Sequence, residues 1–389
     1  MKSITRGSPN SFSAGISNKL LHCFLFVFLL FSAQCGRLNL ADLQPHTPSD
    51  WPLYGGDPGR THAKPIAVSP PFELVWEKKI TAAIGQTILH QDGMIFIPTL
   101  NGKIDILRLE SGKTVGKFKL SRSTIGAIAL HGSQAIVVRR NEKPAIQAID
   151  MKTGDEIWKA TGETLLTEPL IAGEDLVVAY YSGSLVCYDL ASGELKWQTS
   201  LNTQTESSPA FSAGLVIVGG DDGRVTAWRG KNLVWEYQTQ GAIKASPTCL
   251  NDRVFIGSTD EHFYCLDLLN GQLLWSFSAD GKIFLGAAAD GEKVCFGTTQ
   301  HTIYCLEGLK GNLLWRTPTS GVISTAPVIT PAAVIFGSLD DHLYAVDPQT
   351  GGHLWSYKTR GHILTHPIVV DNGLVAASEP ENIYFFKNH

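Results

Sequence analysis

From residue 86 onward the chain is built of short apolar runs separated by small polar punctuation. Runs such as VFIGS (254–258) and VIFGS (334–338), followed by FYCLD (263–267) and LYAVD (343–347), are rich in β-branched and aromatic residues with Gly, Asp, Asn or Ser between them. Runs of that length and composition predict strand, hairpin, strand. Next comes Asp-x-x-x-Gly, a turn in which Asp can bond the backbone two residues on and Gly can take a positive φ. The last strand of each unit carries Trp, whose large ring gains most by lying flat across a neighbour. Crossings such as GAIKASP (241–247), GVISTAP (321–327) and GHILTHP (361–367) then lead onward, with Pro where a strand begins.

These units recur on a fixed period. Trp76, Trp158, Trp197, Trp235, Trp275, Trp315 and Trp355 mark it, with Gly116 standing at the missing beat, and successive gaps are 40, 42, 39, 38, 40, 40 and 40 residues. Around the Trp the spacing of a small residue, Asp, Gly and Trp is kept in Ala148, Asp150, Gly154, Trp158 and in Cys187, Asp189, Gly193, Trp197. It returns in Cys265, Asp267, Gly271, Trp275, in Cys305, Glu307, Gly311, Trp315, and in Ala345, Asp347, Gly351, Trp355. The small slot is expected to let the ring dock between sheets. The first unit departs from the pattern with Ile106 and Gly116, and the fourth with AWRGKN (227–232).

A period near the length of four strands and their turns predicts a propeller or a solenoid. Strand sets begin near 86, 126, 168, 208, 246, 286, 326 and 366, and the last ends at ENIYFFKNH (381–389) without a Trp strand. FELVWEKKI (72–80) supplies that strand from the other end of the chain. The prediction is therefore all-β: an eight-bladed β-propeller over 51–389, closed by an N-terminal strand that completes the last blade and removes the open edge. An open solenoid is the alternative and would need a cap at each end.

The spacing, together with WPLYGGDPGRT (51–61), resembles the pyrroloquinoline-quinone-type propeller repeat family, and within it the BamB family of outer-membrane β-barrel assembly lipoproteins. That resemblance covers about residues 51–389 and implies a non-enzymatic scaffold that holds parts of the assembly machinery. It is specific for fold and poorly specific for function, since sites rather than folds carry chemistry. The other reading is a small-molecule or quinone-binding propeller, or sensor, of the cell envelope. A quinone dehydrogenase of this fold needs a vicinal Cys-Cys and oxygen ligands for Ca²⁺ beside an Asp base. No Cys-Cys dipeptide occurs in the chain, and eight blades leave no insertion to roof the axis, so neither cofactor nor catalytic residue is predicted.

Residues 1–35 place Lys2, Arg6 and Lys19 before the apolar run LLHCFLFVFLLF (20–31) and SAQC (32–35). The run is shorter than the ~20 residues a membrane-spanning helix needs and fits a secretory signal. Cys35 stands where a lipoprotein's acylated cysteine stands, although Gln34 occupies a position that usually holds a small residue; cleavage near Ala33 to a soluble periplasmic product is the alternative. Residues 36–50 read as a tether.

Charge and cysteine usage narrow the partners. The net charge is −4 without a basic patch, which argues against nucleic acid. Protein partners are expected, of which the assembly machinery is implied by resemblance, with membrane contact through a lipid anchor alone and a monomeric propeller. Of seven cysteines, Cys295 and Cys305 flank one hairpin and are the pair to test for a disulfide. His262 and His342 read as turn residues, while His362 and His366 flank the crossing into blade 8. The candidate partner contacts are the hairpin residues Asp221, Asp222, Asp260, Glu261, Asp340 and Asp341, with Arg139 and Arg140 as a basic counterpart.

Overall fold

The structure, a computed structural model, describes residues 47, 49–120, 125–140 and 143–388. The signal and Cys35 lie outside the described residues, as does most of the 36–50 tether. Eight four-stranded antiparallel sheets account for every described strand. Seven blades begin with a strand of two or three residues, such as Leu89–Gln91 in blade 1 and Ile368–Val370 in blade 8, and blade 2 with the longer Ile125–His131; these first strands touch from blade 1 through blade 7, and blade 8 meets blade 1. The first strands therefore line the axis and the Trp strands form the rim.

Closure is made by Phe72–Lys79, which pairs antiparallel with Asn382–Asn388, Phe72 opposite Asn388 and Lys79 opposite Asn382. The sheet order puts this strand outermost in blade 8, next to the chain's last strand. The apolar core is divided into slabs between adjacent blades, such as the one that joins Ala288, Cys295 and Cys305 to Ile329, Val334 and Phe336.

The glycine of the turn does more than bend the chain. Gly112, Gly193, Gly271, Gly311 and Gly351 all have positive φ, and a Cβ added at any of them would lie 2.5–2.8 Å from the Trp of the preceding blade. The same rings donate their indole N–H to a carbonyl of that turn: Trp76 to Leu109 at 2.8 Å, Trp158 to Leu190 at 2.9 Å, Trp235 to Leu268 at 2.8 Å, Trp275 to Gly308 at 3.3 Å and Trp315 to Pro348 at 3.1 Å. The small slot stands opposite the Trp within its own sheet: Ala148, Cys265 and Cys305 face Trp158, Trp275 and Trp315, and those three rings dock on the next blade's turn glycine.

The two departing blades are repaired locally. In blade 1 Gly116 pairs with Ile106, and Phe118 approaches Gly154 of blade 2 in place of the missing indole. In blade 4 the altered turn leaves Gly230 in open space, and the buried Trp228 packs into the slab that Trp197 borders, its N–H held by Thr226 at 2.9 Å.

Candidate functional site

The two mouths of the axis are built differently. Residues 51–64, WPLYGGDPGRTHAK, wind across one mouth and hydrogen-bond to the first strands in turn. Trp51 pairs with His90 of blade 1, and the Pro52 carbonyl accepts from Leu130 of blade 2. The carbonyls of Pro58, Gly59, Thr61 and His62 accept from Phe211, Cys249, Ala289 and Ile329 of blades 4 to 7. The Trp51 indole reaches Val369 of blade 8 at 2.6 Å. At the centre Arg60 is fully buried, donating to the carbonyls of Pro209 at 2.6 Å, Tyr54 at 2.9 Å and Glu168 at 3.1 Å. Burial lowers its pKa to about 10. Gly59 is required here, since a Cβ would stand 2.5 Å from the Cys249 carbonyl oxygen.

Above this plug the axis opens into a cavity of about 370 Å³ on the opposite side. Tyr54 and His366 form its floor, Arg140, Glu168, Ser208, Lys244 and Ser246 its wall, and Phe284 stands exposed at its rim. Thr87 donates to Glu168 Oε1 at 2.7 Å, while Oε2 is shielded and has no protein partner. Burial first, against the hydrogen bond from Thr87 and the charges of Arg60 and Arg140, pushes the Glu168 pKa up to about 7. Arg140 Nε is likewise shielded and unpartnered. Lys244 is already engaged by Glu206 and Asp221, each at 2.9 Å. His366 accepts the Ala326 N–H on Nδ1 at 2.9 Å, and burial lowers its pKa to about 4. It is therefore neutral with its proton on Nε2.

Six of the expected contact residues lie in hairpins on the cavity's face, because those hairpins interlock with the inter-blade crossings: Asp221 N–H donates to Gln204, Thr259 to Ala242 and Leu339 to Val322. Their freedom differs. Asp260 accepts from His262 N–H, Gln240 N–H and the Tyr264 hydroxyl, and Asp340 accepts from His342 N–H and the Tyr344 hydroxyl, so both are held inside their own turns. Asp221 pairs with Lys244, Asp222 with Arg224 at 2.7 Å and Asp341 with His362 at 2.8 Å. Glu261 is exposed at the hairpin tip. Arg139 is only 4% exposed and bonds Gln147 and the carbonyls of Pro144 and Leu120. Arg140 alone of that pair reaches the cavity.

His262 and His342 repeat one another, each with Nδ1 near the carbonyl of the Asp two residues before it. Cys295 and Cys305 lie opposite one another in register and are buried free thiols. Among the described residues no three His, Cys, Asp or Glu converge as metal ligands.

Reading by period missed Tyr54, Arg60 and Glu168. Their signals are the glycine cluster around one Arg in GGDPGR (55–60) and the residue ahead of the crossing Pro, which varies between blades as Glu168, Ser208, Ser246 and His366.

Comparison with known proteins fits this geometry. A family model described as "Beta-alanine-activating enzyme, beta-propeller" matches residues 169–389, more than half of the chain, and one described as "Outer membrane protein assembly factor BamB" matches residues 100–198. The chain is 25% identical to the outer membrane protein assembly factor BamB of Yersinia pestis over 235 residues, 51% of this chain and 59% of that one. To the Escherichia coli K12 protein of the same name it is 23% identical over 195 residues, 46% of this chain and 48% of that one. The matches thus span between about half and three-fifths of these relatives' length. Among solved structures, BamB from Moraxella catarrhalis superposes with a TM-score of 0.69 at 19% identity, covering 82% of this chain and 100% of that one. A europium-containing methanol dehydrogenase gives 0.74 at 13% identity, covering 88% and 98%. At such identities the two structures share the fold with this chain.

Proposed function

We propose, on the premise that this chain belongs to the β-propeller family of the beta-alanine-activating enzyme model and carries a pyrroloquinoline-quinone-type repeat like that of BamB, that it is a non-enzymatic interaction scaffold of the cell envelope. Its partners are components of the machinery that assembles outer-membrane β-barrel proteins. The observation that carries this reading is the interlocked loop face. Backbone bonds between crossings and hairpins fix it, so charged side chains at its tips, among them Glu261, Asp222 and His362, can meet a partner with little ordering cost.

Residues 1–35 act as the export signal, with Cys35 as the site of lipid attachment. Trp51 enters the fold at the plugged mouth, opposite the loop face. Affinity purification of the full-length chain from its native envelope, with mass spectrometry of what accompanies it, tests the reading. Recovery of a β-barrel assembly subunit is the expected result, and a clean monomer sinks it. A quinone-binding role would instead give a new absorbance band on adding pyrroloquinoline quinone with Ca²⁺; none is expected.

A further inference from the structure

Two oppositely charged side chains line the axial cavity, and each has a shielded polar atom without a protein partner. Glu168 is fixed at its backbone, its N–H bonded to Ser208 Oγ at 2.9 Å and its carbonyl accepting from Arg60, and one carboxylate oxygen is anchored by Thr87. The other oxygen has no protein partner. Arg140 lies over Gly126, where a Cβ would come within 3.1 Å of its Cγ, and its Nε–H has no protein partner either. The two are close enough to influence one another electrostatically, yet no hydrogen bond or ion pair joins them among the described residues. Lys244 cannot neutralise Glu168, because Glu206 and Asp221 occupy it.

A buried acceptor and a buried donor left open in one cavity define what would fill it. A simple cation would satisfy Glu168 and leave Arg140 open; a simple anion would do the reverse. We propose that the cavity binds a small zwitterion, its ammonium group on Glu168 and its carboxylate on Arg140. His366 Nε2–H, which the Ala326 bond leaves as a donor, serves as a second acceptor-seeking group on the floor. Phe284 at the rim gives an apolar side chain somewhere to lie. A volume of about 370 Å³ accommodates a molecule of dipeptide size and excludes a folded partner. This site is separate from the hairpin tips assigned to protein partners, and its occupancy does not depend on them.

The test is a calorimetric titration of the purified full-length chain with alanyl-alanine, its N-acetyl derivative and its C-terminal amide. The free dipeptide should bind, and each capped form should bind at least about tenfold more weakly, because each lacks one of the two charges. Glu168→Gln should erase the penalty for N-acetylation, and Arg140→Gln the penalty for amidation, with thermal melts confirming that each variant folds. The comparison of capped and free dipeptides on the unaltered chain stands even where a variant does not fold. Equal affinity for all three forms, or no heat from alanyl-alanine up to about 10 mM, overturns the assignment.

Discussion

One axis carries two unlike mouths. At the plugged mouth the segment 51–64 bonds to the inner strands in turn, and Arg60, fully buried, spends its guanidinium on four carbonyls. At the open mouth Glu168 and Arg140 each keep a buried polar atom without a protein partner. The same ring of first strands lines both ends, so the difference is one of satisfaction rather than architecture. A buried group whose bonds are complete stabilises the fold, while one left open costs stability and offers a place for something else to bind.

That contrast is broken most severely at Arg60. Removing it leaves the carbonyls of Pro209, Tyr54 and Glu168 without their donor and takes a positive charge away from Glu168 and Asp57. Arg60→Ala should cost about 3–5 kcal/mol, read from denaturant unfolding. A loss below about 1 kcal/mol would mean that the plug is an accessory and that the ring holds itself closed.

The rim offers a second comparison, between a tryptophan that has its clamp and one that lacks it. Trp315 is buried, lies on Gly351 and donates to Pro348, so Trp315→Ala should cost about 3–5 kcal/mol. Trp197 faces the altered turn of blade 4, where Gly230 meets nothing, and its ring is only partly buried. Trp197→Ala should cost less by about 1 kcal/mol or more. Equal losses would show that the small residue opposite each ring, not the next blade's glycine, sets the clamp.

Glu168 sharpens the contrast through pH. Burial raises its carboxyl from the usual 4.5 to about 7, so between those values the folded chain holds a proton that the unfolded chain has released. Its contribution to stability therefore falls as pH rises across that window and levels off above it. Glu168→Gln should flatten the profile and gain on the order of 1–3 kcal/mol at pH 8 relative to the unaltered chain, with little change at pH 4. Urea unfolding at the two pH values checks this. A variant less stable at both would place Glu168 with Arg60, as a group the fold needs.

The rim was legible in the sequence and the axis was not, for a physical reason. Each blade must solve the same packing problem, so Trp, Asp and Gly recur at fixed spacing and their roles can be read by laying the copies over one another. Even the closing strand at 72–80 follows from counting, because a blade short of one strand has an edge to cover. The plug solves a problem that occurs once, namely filling a central channel, and a unique solution has no period. Glu168 escaped for a related reason: it occupies a position shared with Ser208, Ser246 and His366, and it is the variation at that position, not its repetition, that builds the cavity wall. The hairpin carboxylates share one face, and spacing alone cannot tell Asp340, turned inward onto Tyr344, from Glu261, turned out.

That last pair gives the smallest expected effect and the clearest separation of structure from recognition. Asp340 holds its turn through the His342 N–H and the Tyr344 hydroxyl, so Asp340→Ala should lose about 1–3 kcal/mol. Glu261 sits at φ +70 and is exposed. Alanine is as strained there as glutamate, so the backbone term cancels and Glu261→Ala should change stability by no more than about 0.5 kcal/mol. Any fall in recovery of the assembly partner from Glu261→Ala is then a loss of contact rather than of fold. For Asp340→Ala, binding should fall only in step with melting. Unchanged recovery from Glu261→Ala would move the partner surface away from this hairpin, toward the exposed neighbours Asp222 and His362 on the same face.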